Sequence, residues 1–205
     1  MTDAVCSLGD EENDSSYPEA LAMSKPQIPK PVKLIIGIFL KDKNLLKSIS
    51  VRLVEKFGPL DMVSKWFPFD MTDYYRSEMG SPLFRRMFAF NALIRREDLA
   101  GIKLETNALE REYMQSGRRT VNLDPGYLSR EHFVLATGKN YTHRIYLGKG
   151  IYADLTLIYS KGAFQTLPWT YPDYAQGPVL NYLQSVRVKY VFDLGGVRFT
   201  GSPAL

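Results

Sequence analysis

Between Lys33 and Leu40 the chain reads Lys-Leu-Ile-Ile-Gly-Ile-Phe-Leu, an apolar, β-branched run too short for a helix. That pattern predicts a central strand covered on both faces. Leu45, Leu46, Ile49, Leu53, Val54 and Phe57 then recur at helical spacing. Asn44 stands where an N-cap belongs, and Gly58-Pro59 stops the helix. Met62 to Phe69 predicts a second strand with Pro68 near its end, and Leu83 to Ile94 a third. In a regular strand Arg85 and Arg86 point to opposite faces. Leu99, Ile102, Leu109 and Tyr113 form a broken helical stripe over residues 96–115, interrupted by Gly101 and ended by Gly117. Arg118 to Leu123 predicts a fourth strand.

Strand, helix, strand, strand, helix, strand is the order of a ferredoxin-like βαββαβ unit, an antiparallel sheet with two helices on one face. The expected class is therefore α+β. Beyond this unit, Asp124-Pro-Gly126 has turn chemistry. Ser129 caps an expected short helix through Ala136, with Gly138 just past its end. His143 to Leu147, Ile151 to Tyr159 and Ala163 to Leu167 predict a β-meander with turns at Gly148-Lys-Gly150 and Ser160-Lys-Gly162. Pro178 opens a last helix carrying Val179, Tyr182, Leu183, Val186 and Tyr190. The sequence thus divides into a disordered acidic leader (1–30), one α+β domain (31–192) with a C-terminal β-meander and helix, and a loose Gly-rich tail (193–205). Lys25-Pro-Gln-Ile-Pro-Lys-Pro31 is a stiff lead-in to the domain. Met23 is an alternative start, a hypothesis that a native N-terminal peptide from upstream of it would rule out.

Charge changes this picture. The net charge is +4, but residues 1–22 hold six acids and no Lys or Arg. The remainder carries 26 basic against 16 acidic residues, a charge of +10 that attracts phosphates, nucleotides, nucleic acid or acidic proteins. One cysteine and two histidines leave too few ligands for a zinc centre, and neither haem nor iron–sulfur is expected. No apolar run reaches the ~20 residues of a spanning helix, and no signal peptide is legible, so the expectation is a soluble, cytoplasmic protein without membrane contact.

Candidate chemistry gathers in one quarter of the chain. Gly148-Lys-Gly150 lets backbone N–H groups approach an anion, with Lys149 adding charge, although a hairpin turn explains it equally. His143 is a candidate proton carrier near neutral pH, and a half-buried, hydrogen-bonded histidine otherwise. Strand alternation sends His143 and Arg144 to opposite faces, so only one of them would share a site with Tyr146 or Lys149. Asp124 is either a turn residue or a catalytic carboxylate. Asp154 is either solvent-facing or part of a site. Asp124, Asp154 and Asp173, joined by Glu78, would form a Mg²⁺ site if they converge in space. Tyrosines along the meander, Tyr146 and Tyr171 among them, offer stacking faces for nucleic acid or simple packing.

Asp70-Met-Thr-Asp-Tyr-Tyr75 with Glu78-Met-Gly80, Asn122-Leu-Asp-Pro-Gly-Tyr-Leu128, His143-Arg-Ile-Tyr-Leu-Gly-Lys-Gly-Ile-Tyr-Ala-Asp154 and Pro168-Trp-Thr-Tyr-Pro-Asp-Tyr174 resemble the bacterial domain-of-unknown-function family 4416 over roughly residues 30–186. The resemblance implies no defined activity. Some members carry a GTP-binding label, yet the phosphate loop Gly-x-x-x-x-Gly-Lys-Ser/Thr is missing here. The function expected from the residues is binding, with or without turnover, of a small phosphorylated or nucleotide-like anion. Arg144, Lys149, Arg118 and Arg119 would supply charge. Tyr146, Asp70, Tyr74, Glu78, Tyr171 and Asp173 would line the site, with His143, Asp124 and Asp154 as catalytic candidates. A non-catalytic RNA- or protein-binding module and a purely structural protein are the alternatives. Oligomeric state is not legible.

Overall fold

The computed structural model describes residues 25–69 and 76–196. The acidic leader, Met23, Asp70, Tyr74 and the last nine residues lie outside them. Strands β1 (Val32–Leu40), β2 (Leu60–Val63), β3 (Phe67–Phe69), β4 (Leu83–Ile94), β5 (Val121–Leu128), β6 (His132–Thr137), β7 (Arg144–Gly148), β8 (Ile151–Ser160) and β9 (Ala163–Thr166) form one antiparallel sheet. Its order is β2-β4-β1-β5-β6-β8-β7, with β3 also on β4 and β9 also on β8. The helices are α1 (Leu45–Phe57), the short α2 (Arg76–Met79), α3 (Leu99–Glu112) and α4 (Gly177–Gly196).

The apolar run of β1 is covered on both faces because its neighbours lie on both sides. Leu34, Ile36, Ile38 and Leu40 pack with Ile49 and Leu53 of α1 and with Ile102 and Leu109 of α3. Ile35, on the opposite face, joins Val179, Leu183, Val186 and Tyr190 of α4. Each such side chain stabilises the fold by about 1.5–3 kcal/mol when fully buried. Lys33, fully buried in β1, is held by Asp61 of β2 at 2.8 Å and lies 3.7 Å from Asp193 of α4, while Lys189 reaches both acids. Burial would raise the Asp61 pKa, but hydrogen bonds and charge from Lys33 and Lys189 hold it below the ordinary aspartate value.

Four local expectations are corrected. Asn44 makes no side-chain cap; Asp42 instead accepts the Asn44 N–H at 2.9 Å. Met62 to Phe69 is two short strands, β2 and β3, both on β4. Pro68 is tolerated there because β3 has β4 as its one neighbour. Asp124-Pro-Gly126 is no turn but the middle of β5. Ser129 starts no helix: its hydroxyl accepts the N–H groups of Glu131 and His132 and closes the turn into strand β6. A serine before an apolar run announces a helix cap or an ST turn equally well, and Phe133-Val-Leu-Ala136 is too short for its period to decide. The expected hairpins do form. Lys149 and Gly150 have φ of 54° and 76°, Lys161 and Gly162 of 51° and 82°, as two-residue turns require.

Candidate functional site

β5 pairs with β1 over its whole length, but with β6 only at Gly126–Leu128 opposite Phe133–Leu135. Beyond that point the two strands part. β6 continues on β8 to Thr137, and β5 continues on β1 to Val121. The sheet forks, and a cavity of about 540 Å³ occupies the fork.

The local sequence explains the fork. At Gly126 the strands come so close that a Cβ would lie 2.5 Å from the Val134 carbonyl oxygen, so only glycine fits. Pro125 follows on the cavity side with no N–H to give to a neighbouring strand. Two residues further, the α3 side chains take the place of the missing strand: Glu110 Oε1 accepts the Leu123 N–H at 2.7 Å, and Lys103 Nζ donates to the Leu123 carbonyl at 2.9 Å. Alternate residues of an antiparallel strand turn their backbone groups to the same side, so Pro125 and Leu123 both face the gap. At Pro125 there is no donor to leave unsatisfied, and at Leu123 both groups are satisfied by charged side chains.

Because the gap passes through the sheet, its walls come from both faces. Lys103, Asn107 and Glu110 of α3 form one side, and Tyr171 to Tyr174, ahead of α4, form the other. Asn122 and Asp124 of β5 face Leu135 to Lys139, Arg144 and Asp154, while Phe39 and Phe69 close one end. Four basic and four acidic side chains line the cavity: Lys103, Arg119, Lys139 and Arg144 against Glu110, Asp124, Asp154 and Asp173.

Most of these charges are already engaged. Arg144 is buried and donates from Nε to Asp154 Oδ2 (2.9 Å), from Nη1 to the Lys139 carbonyl (2.9 Å) and from Nη2 to the Tyr171 hydroxyl (2.6 Å). Arg119 makes two 2.7 Å hydrogen bonds to the Glu78 carboxylate and one of 2.7 Å to Asn122 Oδ1. That guanidinium holds Glu78 below its ordinary pKa. Arg85 lies behind the cavity wall, its Nη1 2.5 Å from Asp173 Oδ2 and its guanidinium carbon 3.7 Å from the centre of the Tyr174 ring. Gly37 makes room there, since a Cβ would stand 3.2 Å from the Tyr174 hydroxyl.

Two carboxylates of the cavity, Glu110 and Asp173, shift the opposite way from Glu78. Burial pushes Glu110 above its ordinary value, with Lys103, the Leu123 N–H and Arg119 offsetting part of the effect and Asp124 adding to it. Burial likewise raises Asp173, against the pull of Arg85 and with Asp124 again adding. Glu110 and Asp173 are therefore the groups here disposed to hold a proton. Asp124 retains 24% side-chain exposure, and its nearest cation is Lys103 Nζ at 3.8 Å.

The site residues expected from the sequence separate into three sets. Asp124, Asp154, Asp173, Arg119, Arg144 and Tyr171 meet at the cavity, and Glu78 reaches it through Arg119. Lys149 sits in the β7–β8 hairpin turn, Arg118 is bridged to Gln115, and Tyr146 is exposed beside Tyr152; none lines the cavity. Asp70 and Tyr74 fall outside the described residues. His143 does not line the cavity either. It precedes β7, where alternation does not apply, so it and Arg144 both reach Asp154, with His143 Nε2 at 3.3 Å. Its ring stacks on Trp169 at 5.0 Å between centroids and 15° between planes. Asp154 does not face solvent; it is 1% exposed. Among the described residues no group of three or more His, Cys, Asp or Glu is arranged to hold a metal ion. Lys103, Glu110 and Arg85 had no place in the sequence-based site. For the two helix residues a signal was there: Lys103, Thr106 and Glu110 stand at i, i+3, i+7 beside the apolar stripe of α3.

No described helix is long and apolar enough to cross a membrane. No curated protein and no solved structure matches the chain. A family model, the domain of unknown function DUF4416, matches residues 30–190, and the chain belongs to that family.

Proposed function

We propose that this member of the family binds a small phosphorylated or nucleotide-like molecule in the fork between β5 and β6. The observation that carries the reading is the cavity itself. At about 540 Å³ it lies in the size range of small-molecule sites, roughly 300–1,000 Å³. Tyr171, Tyr174, Phe39 and Phe69 give it aromatic walls, and charged groups reach it from three strands and a helix. A planar or sugar-like body would rest on the rings and donate to Asp124, Glu110 and Asp173. Its anionic end would lie toward the exposed Lys139, drawn by the +10 charge of residues 23–205. If the bound molecule is turned over, Glu110 and Asp173 are better placed than His143 to move a proton.

We read the β2-β4-β1-β5 portion with α1 and α3 as the ferredoxin-like unit, to which β6–β9 and α4 add the second wall of the site, and the protein as cytoplasmic. A thermal-shift screen of nucleotides and sugar phosphates, with and without Mg²⁺, tests the binding. A ligand at 100 times its Kd adds about 2.7 kcal/mol, a rise of several degrees. A flat response across the screen ends this reading.

One observation favours the second reading, a non-catalytic protein-binding module. β7 is an outer strand of the sheet and exposes Ile145, Tyr146 and Leu147 in a row. Open strand edges pair readily with other chains. That reading predicts complexes disrupted by Ile145→Lys, with no effect of cavity substitutions.

A further inference from the structure

Asn122 is 3% exposed and lines the cavity. Its amide orientation is fixed, because an arginine only donates: the atom facing Arg119 Nη1 at 2.7 Å must be Oδ1. Arg119 is itself held by its paired bonds to Glu78. Asn122 Nδ2 is left as a buried donor with no hydrogen-bond partner among the described residues, on a residue that lines the cavity. A buried, unsatisfied donor is costly in a folded protein and calls for a partner. Two residues along the same face of β5 stands Asp124, a carboxylate whose nearest cation is 3.8 Å away. Their Cα atoms are roughly 7 Å apart on an extended strand, so both side chains reach neighbouring atoms of one ligand.

We propose that Asn122 and Asp124 together recognise a pair of adjacent hydroxyl groups, the vicinal diol of a sugar. The inference rests on the reading of the fork as a small-molecule site and names the part of the molecule that the β5 wall holds. Asn122 Nδ2 donates to one hydroxyl oxygen, and the Asp124 carboxylate accepts O–H from it or its neighbour. A hydroxyl both donates and accepts, so a diol satisfies the two residues at once. The diol itself also brings no charge into a lining already crowded with charged side chains. Glu78 and Arg119 are positioning residues, since they set the orientation of the asparagine amide.

The test measures binding of ribose 5-phosphate, 2-deoxyribose 5-phosphate and unphosphorylated ribose by calorimetry, to the wild type, Asn122→Asp and Asp124→Asn. Asn122→Asp keeps an oxygen toward Arg119 and replaces the free donor with an acceptor. A melting temperature near that of the wild type shows that the variant is folded. The expected result is at least ~10-fold weaker binding of the deoxy sugar to the wild type, with the preference gone in both variants. Equal binding of the two sugar phosphates, or an unchanged preference in Asn122→Asp, overturns the diol while leaving the site standing. Ribose binding as tightly as its phosphate supports the diol and removes the phosphate from the proposed function. No binding by any probe overturns both.

Discussion

The two ends of β5 solve one problem in opposite ways. From Gly126 to Leu128 its outward backbone groups meet β6, and the approach is so tight that a single methyl group has no room. From Val121 to Asp124 no strand among the described residues lies on the side away from β1, and Glu110 and Lys103 of α3 supply the bonds at Leu123 instead. The first arrangement fills space with backbone. The second satisfies the same chemistry from one side and leaves the space open. A sheet can therefore hold a polar cavity without orphaning its backbone, provided that a neighbouring helix carries charged groups within reach.

The wall opposite β5 tests that comparison most severely. Replacing Arg144 by Met leaves buried Asp154 without its arginine, with only His143 beside it, which should cost about 3 kcal/mol in urea unfolding. A loss below about 1 kcal/mol would mean that the wall does not depend on the pair. At the closed end, Gly126→Ala forces β6 away and should cost about 3 kcal/mol by the same measurement. If it is neutral, the strands are not in tight contact there. At the open end, Glu110→Ala strands the Leu123 N–H in the interior, an expected loss of about 1–3 kcal/mol. The companion Lys103→Met tests the carbonyl side and should cost less, because a carbonyl tolerates a missing partner better than an N–H does.

The smallest effect is in pH dependence. Burial raises the pKa of Glu110 in the folded state, so the folded protein holds that proton more tightly than the unfolded chain. Its contribution to stability is greatest below the ordinary glutamate value and declines as pH rises through the raised one. Glu110→Gln removes the decline, and the variant should gain on the wild type as pH rises above the ordinary glutamate value in urea titrations. Parallel curves would show that the carboxylate is not perturbed. Asp61 in the Lys33 cluster has the opposite sign: its lowered pKa gives stability above the ordinary aspartate range that is lost on acidification.

Much of the frame was legible because its signals are local. The β1 run, the stripes of α1 and α4, and the glycine-bearing hairpins of the meander follow from period and turn chemistry. The fork was not legible, because its parts point the wrong way in isolation. Asp124-Pro-Gly126 has the composition of a turn, and Ser129 that of a helix cap. The first reading fails because β1 pairs with the whole of β5, which keeps it extended through Pro125, and the second because the Ser129 hydroxyl closes a turn into β6. Asp124, Asp173, Arg119 and Tyr171 were named from the sequence, and Glu110, Lys103 and Arg85 were given no part in the site.

The sequence alone determined which segments are strands and helices over most of the domain, the family, and the basic charge of the region after the acidic leader, since each depends on neighbouring residues or on counting. Only the tertiary structure decided that β5 and β6 part company, that α3 completes the abandoned edge, and that Asn122 keeps a donor with no partner among the described residues. Those facts depend on groups from β5, α2 and α3, distant in sequence, meeting in one place.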